Sequence, residues 1–300
     1  NTTGTRNNAL GANAADSITT GSYNIAIGYS SLGANLTGNS NTAVGDNTLS
    51  NNTASQNTAI GENSMAANTS GSNNVALGWA SLDANTTASN NTAVGAASLS
   101  ANTTGTENTA VGKDSGKSIT TGSSNAIFGY RAAEYNINLT SGTGNTLIGA
   151  YSRTSTQTTD FANALGYDIS AVAGYTTVGT SGNDIRAAHG VATWSTVSDE
   201  RVKKDIEDST VGLNFINDLR PVTFNYRNKG DLPKEFRGYE EDSTEAYKSE
   251  KSQHGFIAQE VKAAIDKHSD IKNGFSLWDA DDETGQQRVG ETALIPMLTK

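Results

Sequence analysis

Short apolar segments recur along the first half of the chain at a nearly constant interval. Seven read Asn-x-Ala-(Ile/Leu/Val)-Gly and two later ones vary the alanine; their glycines are 17, 17, 16, 17, 17, 17, 17 and 20 residues apart. Four residues after the glycine comes a second apolar position, and three residues later another asparagine. So short a period cannot bury a core alone, but stacked coils cover one another. The pattern predicts a parallel β-solenoid or β-roll over residues 1–150.

The asparagine and the glycine of each repeat are the residues that we expect to hold the coils together. Glycine permits a positive φ, and asparagine tolerates left-handed backbone while bonding its own chain. Asparagines at the same phase are predicted to stack as ladders, each side-chain amide donating to the next. The six clearest pairs are Asn24 and Gly28, Asn41 and Gly45, Asn57 and Gly61, Asn74 and Gly78, Asn91 and Gly95, and Asn108 and Gly112.

The small residue of the repeat predicts a way for copies of the chain to meet. An alanine recurs in each segment, and we expect these alanines to form a flat strip opposite the larger aliphatic side chains. Such a strip invites close approach of another copy around an axis. The alanines are Ala9, Ala26, Ala43, Ala59, Ala76, Ala93 and Ala110.

Two other interpretations fit the repeat less well. A disordered linker would not keep its aliphatic residues in phase. An ice-binding solenoid needs two regular threonine columns, and the one partial column here is interrupted by Ile25 and Val75. Its members are Thr42, Thr58, Thr92 and Thr109.

Residues 151–197 are predicted to be a transition or cap segment, because the rhythm weakens after Gly166 and solenoid ends must differ from their middles. Aromatic residues enter here, and we expect them to fill the core where the coil changes shape. Stacking on sugar rings is the alternative role. The residues are Tyr151, Phe161, Tyr167, Tyr175 and Trp194.

Residues 198–300 differ in composition from residues 1–197. Their pattern predicts a separate small α+β domain that leads toward a C-terminal helix. They carry 36 charged side chains against 16 in residues 1–197, and all three prolines. Apolar positions 213, 216 and 219 have helical spacing, and residues 220–226 alternate as in a strand. His254 begins a further strand that runs into a helix through Ile265.

The candidate chemistry lies at the start of this domain, in Ser198-Asp-Glu-Arg-Val-Lys203. A serine hydroxyl and a neutral lysine amine can form a dyad in which the amine takes the hydroxyl proton. Lys204 is the fallback base. Ser-Asp-Glu is also a common helix start, because the hydroxyl caps a free N–H and the acids favour the positive helix end. The motif alone leaves both interpretations open.

Four motifs in order give residues 198–300 a resemblance to a known family. They are Ser-Asp-x-Arg-x-Lys, a Leu219-x-Pro-Val-x-Phe-x-Tyr226 strand, Gly255-Phe-Ile-Ala-Gln-Glu-Val261, and Leu294-Ile-Pro296. This order resembles the C-terminal intramolecular chaperone of endosialidase-type phage tail spikes, also found in other tail fibres and in myelin regulatory factor. The repeats resemble the heads of trimeric autotransporter adhesins and of phage tail fibres, which form a left-handed β-roll in a trimer.

The resemblance implies a domain that trimerises, templates folding of the fibre ahead of it and then cuts itself off as a single-turnover serine peptidase. By matching positions, Ser198 is the nucleophile, Lys203 is its base, and the scissile bond joins Val197 and Ser198. The expected protein is a homotrimeric phage tail fibre in the virion tail that binds a glycan or protein receptor on the host surface. Alternatives are a bacterial surface or secreted adhesin, a fibre whose uncleaved chaperone stays as a trimer cap, and a carbohydrate-degrading enzyme.

Composition limits the other partners. A net charge of −10 without a basic cluster argues against a nucleic-acid partner. No apolar run reaches the roughly 18 residues of a membrane span. Cysteine is absent, the histidines lack metal spacing, and Asp279–Glu283 has its glycine one place too late for a calcium loop. We therefore expect no cofactor or metal. We also expect the chain to be a fragment; in the family that residues 198–300 resemble, the chain usually continues beyond the position of Lys300 into a helical coiled coil.

Overall fold

In the computed structural model of the chain, the described residues are 2–191, 194–196, 200–204, 206, 208, 211–236, 238–271, 277–280, 287–290 and 294. They form two compact units, Asn1–Asp199 and Glu200–Lys300. The finer boundaries expected at residues 150 and 197 stay predictions.

The first unit is a parallel β-solenoid, as predicted. One short strand falls in each coil, and each strand pairs in parallel with the next at equivalent repeat positions. The strands are β1 Asn8–Leu10, β2 Ile25–Ile27, β3 Thr42–Val44, β4 Thr58–Ile60, β5 Val75–Leu77, β6 Thr92–Val94, β7 Thr109–Val111, β8 Ala126–Phe128 and β9 Thr146–Ile148.

The parallel stack ends in an antiparallel hairpin. After β10 (Arg153–Thr154), strand β11 (Asn163–Tyr167) continues the main sheet, while β10 pairs with β12 (Ser170–Ala171). Strand β13 (Tyr175–Thr180) adds one more parallel neighbour and then pairs in the opposite direction with β14 (Asn183–Ala188), which pairs with β15 (Ser195–Thr196). An antiparallel neighbour changes the hydrogen-bond pattern that the next coil would need. The hairpin therefore ends the repeat.

The alanines point into the coil, so the outer alanine strip expected from the sequence is wrong. Apart from Ala9 in the first coil, the repeat alanines are fully buried. They occupy the middle of each strand, and alternation sends the middle residue inward and its two neighbours outward. The coil is narrow, so a methyl group fits between the strand and the aliphatic residues that close the core from the opposite side: Leu32, Leu49, Met65, Leu82 and Leu99.

One coil shows how tightly this core is filled. Gly116 stands where the leucine of the repeat is expected, and Ile127 stands in the alanine column of the next coil. A Cβ added to Gly116 would lie 3.2 Å from the Cδ1 of Ile127. The smaller residue at position 116 therefore makes room for the larger residue at position 127, as expected in a close-packed interior.

The aromatic residues of the transition segment do not fill the core, and that prediction is also wrong. Phe161, Tyr167 and Trp194 are exposed, and Tyr151 and Tyr175 are half-buried. The interior keeps its narrow width through the last coils and accepts only small or aliphatic side chains there: Ala162, Ala164, Ile169 and Ala171.

The second unit is a small α+β assembly, as predicted. Its elements are a 3-10 helix Glu200–Val202, helix α1 Leu213–Asp218, strand β16 Val222–Phe224, a 3-10 helix Lys229–Asp231, strand β17 Gln253–Gly255, helix α2 Ala258–Asp266, and strands β18 Trp278–Ala280 and β19 Gln287–Val289. Its buried residues include Val211, Phe215, Val261, Ala264, Ile265 and Leu277. The helix expected toward the C terminus lies outside the described residues.

Candidate functional site

The expected cleavage site is only partly within the described residues. Val197 and Ser198 lie outside them. The 3-10 helix Glu200–Val202 follows, and the backbone N–H of Lys203 donates to the carbonyl of Glu200 at 2.9 Å. Lys203 and Lys204 are both exposed to solvent in the single chain.

Two of the sequence motifs lie side by side in the second unit. Strand β16 pairs with β17 in antiparallel register, with Val222 opposite Gly255 and Phe224 opposite Gln253. Thr223 and His254 face each other, and the Thr223 Oγ1 lies 3.3 Å from the His254 Nδ1. His254 belongs to a strand, as expected. The pairing places the residues just before α2 next to the strand that follows α1.

An ion pair and a hydrogen bond connect α1 and the residues that follow it with α2 and the residues that follow it. Arg220 donates two hydrogen bonds to the Glu260 carboxylate, from Nε to Oε2 at 2.9 Å and from Nη2 to Oε1. The hydrogen bond from Arg220 lowers the pKa of the Glu260 carboxyl, and the same bond raises the pKa of Arg220. His268 contacts Asp218, Nε2 to Oδ2 at 2.9 Å, and packs edge-on against Phe215 with ring centroids 5.3 Å apart.

A cavity of about 670 Å³ lies between this β16–β17 ribbon and strand β19. Its wall includes Phe224, Tyr226, Tyr247, Phe256 and Arg288. Tyr226 packs edge-on against Phe224 at 5.3 Å and against Tyr247 at 6.1 Å. Tyr247 comes from the long, charged loop between β16 and β17. An aromatic residue in so polar a loop is the signal that could have assigned it to this wall.

The predicted asparagine ladder of the solenoid is present, and its side chains bond to backbone groups as well as to one another. The Oδ1 of Asn24 accepts from the side-chain amide of Asn41 at 3.1 Å and from its backbone N–H at 3.0 Å. The Nδ2 of Asn41 also donates to the carbonyl of Ala54 at 2.8 Å. One side chain thus connects three coils. Equivalent backbone bonds join the later members Asn57, Asn74, Asn91, Asn108, Asn125 and Asn145.

A second, shorter ladder runs beside the first, and the two share backbone acceptors, since Asn57 and Asn68 both donate to the carbonyl of Gly71. The Nδ2 of Asn68 donates to Asn52 at 2.6 Å, Asn85 donates to Asn68 at 2.7 Å, and Asn102 donates to Asn85 at 3.3 Å. The next residue at this phase is Ile119, so the buried Oδ1 of Asn102 has no hydrogen-bond partner within the described part of the chain. The ladder ends where an aliphatic residue takes its place.

The repeat glycines are required by both conformation and space. Gly95 has a φ of 130°, and a Cβ built on it would lie 2.5 Å from the carbonyl oxygen of Gly112. Real Cβ atoms do not approach a backbone oxygen so closely, so every side chain is excluded. Gly28, Gly45, Gly61, Gly78 and Gly112 share this geometry.

A comparison against protein families covers three of the four motifs, all but Leu294-Ile-Pro296. Residues 198–270 match the chaperone-of-endosialidase family. The family is named among the peptidases. No curated protein and no solved structure matches the chain. The matched residues, called the chaperone segment below, begin at Ser198 and include α1, β16, β17 and α2.

Other site classes find little support among the described residues. Within them, no group of three or more His, Asp and Glu side chains could hold a metal ion. Asp279 lies in β18, and residues 281–283 of the acidic turn are outside the described set. In the same set, no helix has the length and apolarity needed to cross a bilayer.

Proposed function

We propose that the chain is part of a trimeric phage-type tail fibre that attaches to a host surface, and that its chaperone segment templates assembly and is then released by self-cleavage between Val197 and Ser198. The observation that carries the proposal is where the family match begins. It starts at Ser198, two residues after β15, the last described strand of the solenoid sheet. A peptidase domain whose first residue is a serine is suited to cutting at its own boundary.

The chemistry follows from that position. The Ser198 Oγ attacks the carbonyl carbon of Val197, while its proton passes to the neutral Nζ of Lys203. The proton then moves to the departing nitrogen, the C–N bond breaks, and Val197 is left as an ester on Ser198 with a free α-amine. Water opens the ester and releases the Val197 carboxylate. The hydroxyl and the carbonyl are neighbours in the chain, so proximity supplies much of the acceleration.

Exposure of Lys203 supports cleavage that waits for assembly. The dyad needs the lysine amine in its neutral form. Only burial or a nearby positive charge can make it a base. In the proposal, trimer formation supplies that burial. Cutting before assembly would remove the template too early, so this dependence times the reaction.

An apolar stripe on the solenoid is the proposed contact between copies. The third residue of each strand faces outward and is half-buried to exposed in the single chain. Long exposed apolar surfaces of this kind mark association sites, and a repeated column can meet its copies around an axis. The stripe consists of Leu10, Ile27, Val44, Ile60, Leu77, Val94, Val111, Phe128, Ile148 and Leu165.

Removal of the chaperone segment has a physical use. In the proposed trimer, pairings between separate chains form slowly and expose strand edges meanwhile. A template overcomes the slow start. After its release the fibre cannot refold readily, so its stability becomes kinetic.

The decisive experiment is a denaturing gel with intact-mass analysis of the wild type, Ser198→Ala, Lys203→Ala and the neighbouring control Lys204→Ala. We expect the wild type and the control to give pieces of 197 and 103 residues. Ser198→Ala and Lys203→Ala should stay whole yet still assemble. A wild type that stays whole after assembly would overturn self-cleavage and make residues 198–300 a retained trimer cap.

Assembly is tested separately by sedimentation. Ile60→Lys combined with Val94→Lys should yield monomers, because it places charges in the apolar stripe. Leu36→Lys is the matched control, since Leu36 lies outside the stripe and is 47% exposed against 43% for Ile60. If the double variant remains trimeric, the stripe is not the contact between copies.

A further inference from the structure

A group of tyrosines gathers on the solenoid near its end, where Tyr167 follows the stripe residue Leu165 by two positions in β11. Together with two charged side chains they line a cavity of about 200 Å³, called the tyrosine pocket below. Its lining residues are Arg131, Tyr135, Tyr151, Tyr167 and Asp168. Drug-sized ligands occupy cavities of about 300–1,000 Å³. This pocket therefore suits a single small ring.

Three successive coils supply the pocket from one repeat position. Arg131, Tyr151 and Asp168 each stand two residues after a repeat glycine, all with φ between 51° and 59°. Backbone hydrogen bonds hold them in line, from Tyr151 N–H to the Tyr130 carbonyl and from Asp168 N–H to the Ala150 carbonyl, both 3.0 Å. In earlier coils this position carries a small or polar residue: Asn13, Ser30, Asn47, Asn63, Ala80, Ala97 and Asp114.

The fourth wall comes from the one enlarged interval of the repeat. The spacing from Gly129 to Gly149 is 20 residues, and the extra residues carry Tyr135. Glu134 anchors this segment through bonds of 3.0 Å from both the backbone N–H and the hydroxyl of Ser118. Leu139, on its other side, is fully buried. The insertion is therefore fixed at both ends, and Tyr135 is held in place.

The rings are arranged around Tyr151. Its centroid lies 4.8 Å from Tyr135, 5.4 Å from Tyr130 and 5.6 Å from Tyr167, each pair meeting edge to face. Partial burial among these rings raises the pKa of the Tyr151 hydroxyl. Tyr167 is 56% exposed. A ligand ring can therefore reach it from solvent.

Charged groups at the rim add directional partners. Arg153 pairs with Asp168, and its guanidinium carbon lies 5.9 Å from the Tyr135 ring. The Arg131 guanidinium carbon lies 5.8 Å from the same ring. The pocket thus combines aromatic faces with a few donors and an acceptor. This is the lining expected for a ligand with an apolar face and a polar edge.

We propose that the tyrosine pocket binds one pyranose ring of a glycan, whose apolar face stacks on Tyr167 and whose hydroxyl groups bond to Arg131 and Asp168. It deepens the attachment part of the proposed function by naming the ligand class and the site. The occupied surface is small, so we expect a weak Kd of about 1–10 mM for a single ring.

The test is saturation-transfer-difference NMR on the full chain with methyl glucopyranoside, methyl galactopyranoside and methyl glucuronide, and with sorbitol as an open-chain control. At least one ring probe should receive saturation and sorbitol should not. Tyr167→Ala and Arg131→Gln should weaken that signal about fivefold or more. Tyr29→Ala should not, although Tyr29 also follows a repeat glycine directly and is 52% exposed.

Two results would overturn the proposal. One is no saturation of any ring probe, or equal saturation of sorbitol, in protein whose circular dichroism is native. The other is loss of assembly in Tyr167→Ala with ring binding unchanged, which would make the tyrosines a packing surface. A failure of the proposed function is read instead on the wild type, as absent trimers or absent cleavage, so it is distinct from either of these results.

Discussion

The solenoid and the second unit, Glu200–Lys300, are stabilised internally by different interactions. The second unit is called the chaperone unit below. In the solenoid, coils stack through repeated glycines and asparagines whose backbone and amide bonds reach only the next coil. In the chaperone unit, contacts join residues far apart in sequence, such as Arg220 with Glu260, around a core that includes Phe215. A solenoid is a sum of neighbour interfaces. Its weak points are therefore backbone positions, and those of the chaperone unit are side chains.

The largest expected loss of solenoid stability comes from adding one methyl group to a repeat glycine. Gly95→Ala places a Cβ 2.5 Å from the Gly112 oxygen, and we expect it to cost about 4 kcal/mol or more of unfolding free energy. Gly182→Ala is the control, because Gly182 also has positive φ, 76°, but nothing lies within 4 Å of its Cβ. An alanine at a positive φ, without any close contact, costs about 1–2 kcal/mol of unfolding free energy. Urea unfolding with hydrogen exchange measures both, and equal losses would contradict the close-approach argument.

The corresponding break in the chaperone unit is Phe215→Ala. Phe215 is fully buried against residues such as Val261 and Ile265, and truncation of a core phenylalanine costs about 3–5 kcal/mol. Hydrogen exchange should show faster amide exchange in α1 and α2 and unchanged protection in β2–β9. Phe215→Leu should have a smaller effect. Equal loss of protection in the solenoid would contradict the separation into two units.

A third change tests whether the ladder amides contribute as much as the glycines. Asn74→Ala removes the Oδ1 that accepts from the Asn91 N–H at 2.9 Å and the Nδ2 that donates to the Ala88 carbonyl at 2.9 Å. Buried groups left without a partner cost about 1–3 kcal/mol each, so we expect a loss of about 2–4 kcal/mol by urea unfolding. Asn51→Ala, an exposed asparagine bonded to the Ala66 carbonyl, is the control. A similar loss there would remove the special role of the ladder.

The repeat made the solenoid predictable, because the same local pattern recurs and each coil depends only on its neighbours. Its period predicted the strands, the asparagine ladder and the buried leucines. It did not tell inside from outside within a strand of so few residues. Alanine flanked by threonine and valine alternates equally well either way, and only the narrow coil decides that the methyl group faces inward. The same narrowness turns Phe161 and Tyr167 outward, although aromatic residues usually favour a core.

The local sequence pattern was also sufficient to predict α1, β16, β17 and α2 in the chaperone unit. It could not indicate that Arg220 reaches Glu260, or that Tyr247 joins the wall beside Tyr226, because no periodicity links residues so far apart. The tyrosine pocket was missed for a related reason. Arg131, Tyr151 and Asp168 look unrelated in sequence until the repeat is aligned across its enlarged interval. The roles of Ser198 and Lys203 stay predictions.

The smallest expected effect concerns the exposed ion pair of the chaperone unit. The folded-state pKa of Glu260 is lowered by Arg220, so the pair stabilises the fold above the ordinary carboxyl pKa, and this stabilisation is lost as pH falls through the folded value. Because both side chains are exposed, the loss in Arg220→Gln should be smaller than in any variant above. Lys234→Gln, in the loose 3.9 Å pair with Glu241, is the control. NMR titration should show the Glu260 pKa rising in Arg220→Gln and unchanged in the control. An unchanged Glu260 pKa in Arg220→Gln would mean that the Arg220 contact does not hold in solution.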